Sequence, residues 1–331
     1  MALIPSLTSD EVEANERRKQ ELVALIASGD AVLFVGAGSS KMAGFPTWAE
    51  LILKLEQLAA ECGDGFDTDQ DIFKKGPTEF LAYLSKIKTH IRDRMGNDDT
   101  YNTFLTRTFS GESGFTVLEM HHQLVRLPFR GIVTTNYDFV LEAALARDFR
   151  DSGHNNSLAY GIDAPYLIYE LLRKLTIAGQ QRQVLHIHGC YRAPDRIVLT
   201  LEDYEVAYGD DSYLPDVMRT VLSSYRLVFV GFSLTDPYFR GLLGRVVSRF
   251  QLKALPIHFA VVDISPLNAP EQKARAHQLK LEYGTEVVFY DRIDDTHRGL
   301  RDIIGDIARA VLPDDRRLDA VNDTVAAEIV L

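Results

Sequence analysis

The sequence predicts an α/β protein: a Rossmann-like, doubly wound parallel sheet with a smaller helical insertion module. Three observations predict it. Short apolar runs, such as residues 32–35 and 227–230, have the length of strands buried on both faces. They alternate with segments whose apolar residues recur at helical spacing. Several runs end in glycines, hydroxyls, an amide or an acid, and open α/β sheets hold ligands at that edge.

The length suits one large α/β domain or two moderate ones. The chain has 331 residues, 46% of them apolar and 25% charged, an ordinary mixture for a chain with a real core. One domain is expected over residues 1–315, with the insertion at about 63–128 and a tail over 316–331. The net charge of -11 argues against a broad surface for nucleic acid, so none is expected to bind directly. The two cysteines, Cys62 and Cys190, stand apart, so no four-cysteine zinc site can form and no zinc or other metal is expected. No apolar stretch approaches the roughly 18 residues of a membrane span, and the N-terminus lacks a signal-peptide pattern, so a cytoplasmic location is expected.

Taken in order, Thr8 or Ser9 can cap a first helix that Gly29 ends. The first strand, 32–35, runs into Gly36-Ala37-Gly38-Ser39-Ser40, where glycines permit close approach and free N–H groups would suit a phosphate. Pro46 opens a helix carrying Leu51, Ile52, Leu55 and Leu58. Trp48, the only tryptophan, reads first as a core anchor. Residues 63–115 show no β pattern and predict helices over 77–94 and 100–109, with a further helix over 117–127. The strand at 131–135 leads to Asn136-Tyr137-Asp138, whose acid or amide would otherwise cap the next helix. A helix is expected over 164–175. In the strand 184–189, alternation puts His186 and His188 on one face. A short strand at 197–200 and helices over 202–208 and 213–224 follow. The strand at 227–230 ends in Gly231-Phe232-Ser233, with Asp236 as cap and Pro237 opening a helix. The strand at 257–262 precedes Asp263, which either bonds a ribose hydroxyl or closes a turn. A strand at 286–290 and a helix over 299–312 complete the pattern, and the end of the tail, 326–331, is apolar enough to pack on the core or on a partner.

As an ordered set, these strand ends resemble the sirtuin family. Gly36-Ala37-Gly38-Ser39-Ser40 with Gly44-Phe45-Pro46 is similar to its opening glycine motif. Thr134-Thr135-Asn136-Tyr137-Asp138 is similar to its TxNxD segment, His188-Gly189 to its catalytic HG pair, and Gly231-Phe232-Ser233-Leu234 to its later glycine-serine turn. The resemblance implies NAD as ligand. Gly36, Ala37 and Ser39 would line the phosphates, and Asn136 would hold the ribose beside the scissile bond. Asp138 would meet the nicotinamide end, His188 would be the general base, and Gly231, Ser233 and Asp263 would hold the adenosine half. Gly38, Phe45, Thr47, Trp48 and Phe232, in the same motifs, join the expected dinucleotide site.

The departures narrow the expectation. Cys190 has no second cysteine near it, so the zinc module of deacylase sirtuins is missing, and Thr47 and Thr135 replace an acid and a glutamine of the family pattern. These losses, with the helical insertion, resemble the bacterial sirtuin-like branch of antiphage defence. NAD hydrolysis to ADP-ribose and nicotinamide is the leading expectation. An ADP-ribosyltransferase or deacylase, and a non-catalytic NAD or ADP-ribose sensor, are the alternatives. A nuclease would need a metal-ligand cluster that the sequence lacks. Because the tail leaves no room for a sensing domain, control is expected from a homo-oligomer or a partner protein, for which a HerA-type ATPase is one candidate.

Overall fold

The structure, a computed structural model, describes residues 4–112, 114–148, 184–252, 255, 257–294, 297–313 and 323–325. The helix expected over 164–175 and the apolar end 326–331 lie outside the described residues. Strands are formed at β1 (Ala31–Val35), β2 (Phe115–Val117), β3 (Ile132–Thr134), β4 (Val184–His186), β5 (Arg226–Val230), β6 (His258–Ile264), β7 (Thr285–Asp291) and β8 (Asp323–Val325). Six of them make one sheet in the order β4-β3-β1-β5-β6-β7, and every pairing in it is parallel. The chain steps outward from β1 through β3 to β4, then crosses to the other side of β1 and steps outward through β5, β6 and β7. This is the dinucleotide-fold order, with its switch point between β1 and β5.

Helices cover both faces. The chain forms α1 (Ser9–Ala27), α2 (Ala37–Ala43), α3 (Trp48–Cys62), α4 (Pro77–Met95), α5 (Asp99–Ser110), α6 (Glu119–Arg126) and α7 (Val140–Asp148) in its first half. It then forms α8 (Leu201–Tyr208), α9 (Leu214–Ser224), α10 (Pro237–Arg249), α11 (Ala269–Tyr283) and α12 (Arg298–Val311). Thr8 caps α1 through a reciprocal pair with Glu11, which settles the choice between Thr8 and Ser9. Alternate residues of β1 serve opposite faces. Leu33 and Val35 pack with Leu22, Ile26 and Ile52, while Val32 and Phe34 pack with Met218, Phe239 and Leu242. Burial of each such side chain contributes about 1.5–3 kcal/mol.

Three sequence expectations change. Residues 197–200 join no ladder. Their apolar side chains are buried in a connector, where Val198 N donates to His188 O at 2.9 Å, so burial alone produced the strand-like pattern. The insertion does contain a strand: β2 pairs antiparallel with β8, about two hundred residues away in the chain. β4 stops at His186, and Gly189 turns the chain with φ +77°, so strict alternation does not reach His188.

The ends of β1 and β5 touch main chain to main chain. Gly36 N donates to Val230 O at 3.0 Å and Gly38 N to Gly231 O at 2.9 Å. A Cβ added at Gly36 would sit 2.6 Å from Gly231 O and from the Phe232 Cα, both backbone atoms that cannot swing away. Gly36→Ala is therefore expected to cost about 1–3 kcal/mol as overpacking. Urea denaturation checks this, and an unchanged midpoint would mean that the two turns separate freely.

Candidate active site

A cavity of about 600 Å³ lies where β1, β3, β4 and β5 end, within the range of small-molecule sites. Ala37, Gly38 and Ser40 follow β1, Asn136 and Asp138 follow β3, His188 follows β4, and residues 231–237 follow β5. The insertion supplies one wall through Lys75, Pro77, Phe80 and Leu81. The glycine turns, Asn136 and His188 thus border one continuous space.

Asn136 is held on three sides. Its N–H donates to Thr134 Oγ1 at 3.0 Å. Its Nδ2 donates to Ser40 Oγ at 2.7 Å and to Gly36 O at 3.2 Å, with Ser39 Oγ at 3.4 Å. Its main-chain oxygen accepts from His186 Nδ1 at 2.7 Å. Its Oδ1 is buried and has no partner. These donations to carbonyl and hydroxyl oxygens assign the amide, so Oδ1 is the open acceptor. Ser40 links Asn136 to Asp138, whose carboxylate accepts from Ser40 and from Val140 N. Burial raises the pKa of Asp138, and these hydrogen bonds oppose that rise.

His188 is buried among tyrosines. Its Nε2 lies 2.8 Å from the Tyr208 hydroxyl and its Nδ1 3.5 Å from that of Tyr204. Tyr204 donates to Asp236 Oδ2 at 3.1 Å, and that oxygen is 3.9 Å from His188 Nε2. Burial pushes the His188 pKa down to about 4, against the pull of Asp236. The ring is therefore neutral near pH 7.

The expected residues divide clearly. Ala37, Gly38, Phe45, Thr47, Trp48, Asn136, Asp138, His188, Gly231, Phe232 and Ser233 line the cavity. Gly36, Ser39 and Asp263 do not. Ser39 is turned inward, its hydroxyl on Gly36 O at 2.9 Å, and its amide also bonds Gly36 O. Two of the amides expected to await a phosphate, those of Gly38 and Ser39, are thus already taken. Asp263 accepts from Asn268 Nδ2 at 3.1 Å, the turn-closing alternative. Thr47 caps α3 in a reciprocal pair with Glu50. Trp48 is no core anchor: it is 37% exposed at the start of α3, because that turn faces the cavity. Ser40, Tyr204, Tyr208 and Asp236 were not among the site residues that the sequence predicts. Ser40 sat in the glycine motif and Asp236 in a cap, and only folding joins them to Asn136 and His188. Among the described residues no three His, Cys, Asp or Glu side chains converge as a metal site, and no helix is long and apolar enough to cross a membrane.

Fold order and cavity together define an α/β protein with a cleft at the carboxyl ends of its parallel strands. More particularly, residues 130–288 match the model of the SIR2-like domain family. It is 30% identical over 223 residues to the NAD(+) hydrolase ThsA of Bacillus cereus, covering 67% of this chain and 41% of that protein. It is 26% identical over 232 residues to the NAD(+) hydrolase ThsA of Acinetobacter baumannii, covering 70% and 42%. With defense-associated sirtuin 2 of Bacillus subtilis it shares 22% identity over 222 residues, covering 66% and 19%. The chain spans about two fifths of the length of the ThsA relatives.

Buried neutral histidines tie stability to pH. His121 and His188 are pushed down to about 4 and His258 to about 3, chiefly by burial. The unfolded chain binds a proton on each ring below pH 6.5, while the folded chain does not until near pH 4. Their stabilisation is complete above pH 6.5 and is lost as pH falls toward 4. His258→Gln is expected to make the acid-side fall of the urea midpoint shallower. An identical fall would show that His258 is not buried as the neutral ring.

Proposed function

We propose that this chain hydrolyses NAD at the bond between nicotinamide and ribose, giving ADP-ribose and nicotinamide. The observation that carries the proposal is the open, buried Oδ1 of Asn136, which shares one cavity with a neutral His188. The names of the ThsA relatives support the substrate and the reaction.

Pyridinium is already a good leaving group, so the C1′–N bond breaks toward a cationic sugar and its electron pair returns to the ring nitrogen. The protein has to hold the ribose and admit water. Asn136 Oδ1 accepts from a ribose hydroxyl or from the attacking water. His188 takes the proton that water loses as its oxygen bonds C1′, a contribution of typically ~10²–10⁴-fold. Asp138, joined to Asn136 through Ser40, meets the nicotinamide end. Ala37 and Gly38 face the phosphates, with the adenosine half toward Gly231 and Ser233. Phe45 and Trp48 offer aromatic faces for the bases.

The biological reading is NAD depletion in antiphage defence, in the cytoplasm. The relative named defense-associated sirtuin 2 supports it. An uncontrolled NAD hydrolase would exhaust its own cell. The proposal therefore includes a switch, either a homo-oligomer or a partner protein such as a HerA-type ATPase.

Two measurements test this. Excitation of the single tryptophan should give an emission change that saturates with NAD, since Trp48 borders the cavity. No change would place the dinucleotide elsewhere. With etheno-NAD, alone and with its genomic neighbour, wild type should release fluorescent product. His188→Ala should lose about 10²–10⁴-fold, and Asn136→Ala should fall with it. Equal turnover by these variants would remove both residues from the chemistry.

A further inference from the structure

Two buried ionisable groups lie behind the cavity and touch the residue at its centre. Glu142 of α7 and His186, the last residue of β4, pair at 2.7 Å between Oε1 and Nε2. His186 is 0% exposed and Glu142 6%. Neither lines the cavity. The other ring nitrogen of His186 lies 2.7 Å from the main-chain oxygen of Asn136. The Asn136 carbonyl can only accept, so Nδ1 carries a hydrogen, and with Glu142 as the carboxylate Nε2 carries one too. The pair is then an imidazolium on a carboxylate.

We propose that Glu142 and His186 are positioning residues: their ion pair clamps the Asn136 carbonyl and so aims the Asn136 amide into the cavity. This rests on the reading of Asn136 as the catalytic amide. With the clamp, the N–H, C=O and Nδ2 of Asn136 are all engaged by protein, and Oδ1 alone is left for a ligand. Stability alone gives little reason for the pair. A buried ion pair is often no better than hydrocarbon of the same volume. Hydrocarbon could not hold a carbonyl.

The surroundings of His186 favour its charge despite burial. Burial lowers its pKa, but Glu142, the Asn136 carbonyl and Asp138 together raise it above the ordinary value of 6.5. Glu142 faces it from α7 and Asp138 from the loop before α7. The Phe139 ring packs on it at 5.3 Å, with the Arg192 guanidinium over that same ring at 4.6 Å. Cys190 and His188 follow it in the chain. As pH rises through the raised pKa, the ring loses one proton. The carboxylate keeps the hydrogen that remains, and the Asn136 carbonyl loses its donor. The clamp therefore opens on the alkaline side.

The test uses the full chain. Wild-type kcat for NAD cleavage should fall at alkaline pH. In Glu142→Gln the ring is neutral: the Gln amide donates to Nε2 and Nδ1–H still holds Asn136. The alkaline fall should vanish, and the fold should survive because every hydrogen bond has a replacement. In His186→Ala, kcat should drop about 10- to 100-fold at every pH, as a small misplacement of a reacting group does. Its NAD affinity by Trp48 emission should stay within about threefold, because only ground-state binding is read there. Independently of turnover, nitrogen NMR of labelled histidine, assigned by the signal missing in His186→Ala or shifted in Glu142→Gln, should show two ring N–H groups on His186 at pH 7. Glu142→Gln should show one. A single N–H in wild type overturns the clamp, as does a Glu142→Gln pH profile that superimposes on wild type. If wild type leaves NAD intact, the hydrolase reading fails while the NMR result still decides the clamp.

Discussion

The molecule depends on a contact in which no side chain takes part. At the switch point of the sheet, the turn after β1 lies directly on the turn after β5, through Gly38 N to Gly231 O at 2.9 Å. Glycine is required there for lack of room: Gly36 has an ordinary φ of -115°, and what a larger residue would strike is backbone. The contact fixes how far apart the two turns stand. Asn136 then ties the end of β3 to the same point through Gly36 O and Ser40. Three strand ends, separate in sequence, become one hydrogen-bonded floor for the cavity.

On that floor, two histidines two residues apart differ in charge, one cationic and one neutral. His186 faces a carboxylate and a carbonyl, and the local field keeps its proton on. His188 faces phenols, with one carboxylate at 3.9 Å, and burial wins. Environments that push like groups apart in pKa assign them different work. The charged ring serves the scaffold and the neutral ring faces the ligand space. The same logic separates Ser39 from Ser40, adjacent hydroxyls of which one closes its own turn and the other joins Asn136 to Asp138.

The six sheet strands were legible because parallel strands buried on both faces carry short, largely apolar runs. The same rule misled at residues 197–200, where Ile197, Val198 and Leu199 are buried without a ladder. β2 was invisible because three residues carry almost no pattern and its partner β8 lies near the other end of the chain. At the site, motif residues such as Asn136 and His188 could be named, since each ends a strand. Their partners could not. Glu142 looks like any acid in the first turn of a helix, and Tyr204 and Tyr208 look like helix surface until α8 packs them on His188. Trp48 defied its composition-based expectation because a helix start beside a cleft exposes what a helix middle would bury.

The central claim is that water reaches the anomeric carbon inside this cavity. Incubating NAD with the protein in water enriched in oxygen-18, followed by mass spectrometry, tests it most directly. The account predicts one heavy oxygen in free ADP-ribose, none in nicotinamide, and no labelled product with Asn136→Ala. Intact NAD, or ADP-ribose carried on a macromolecule without the heavy oxygen, would contradict it.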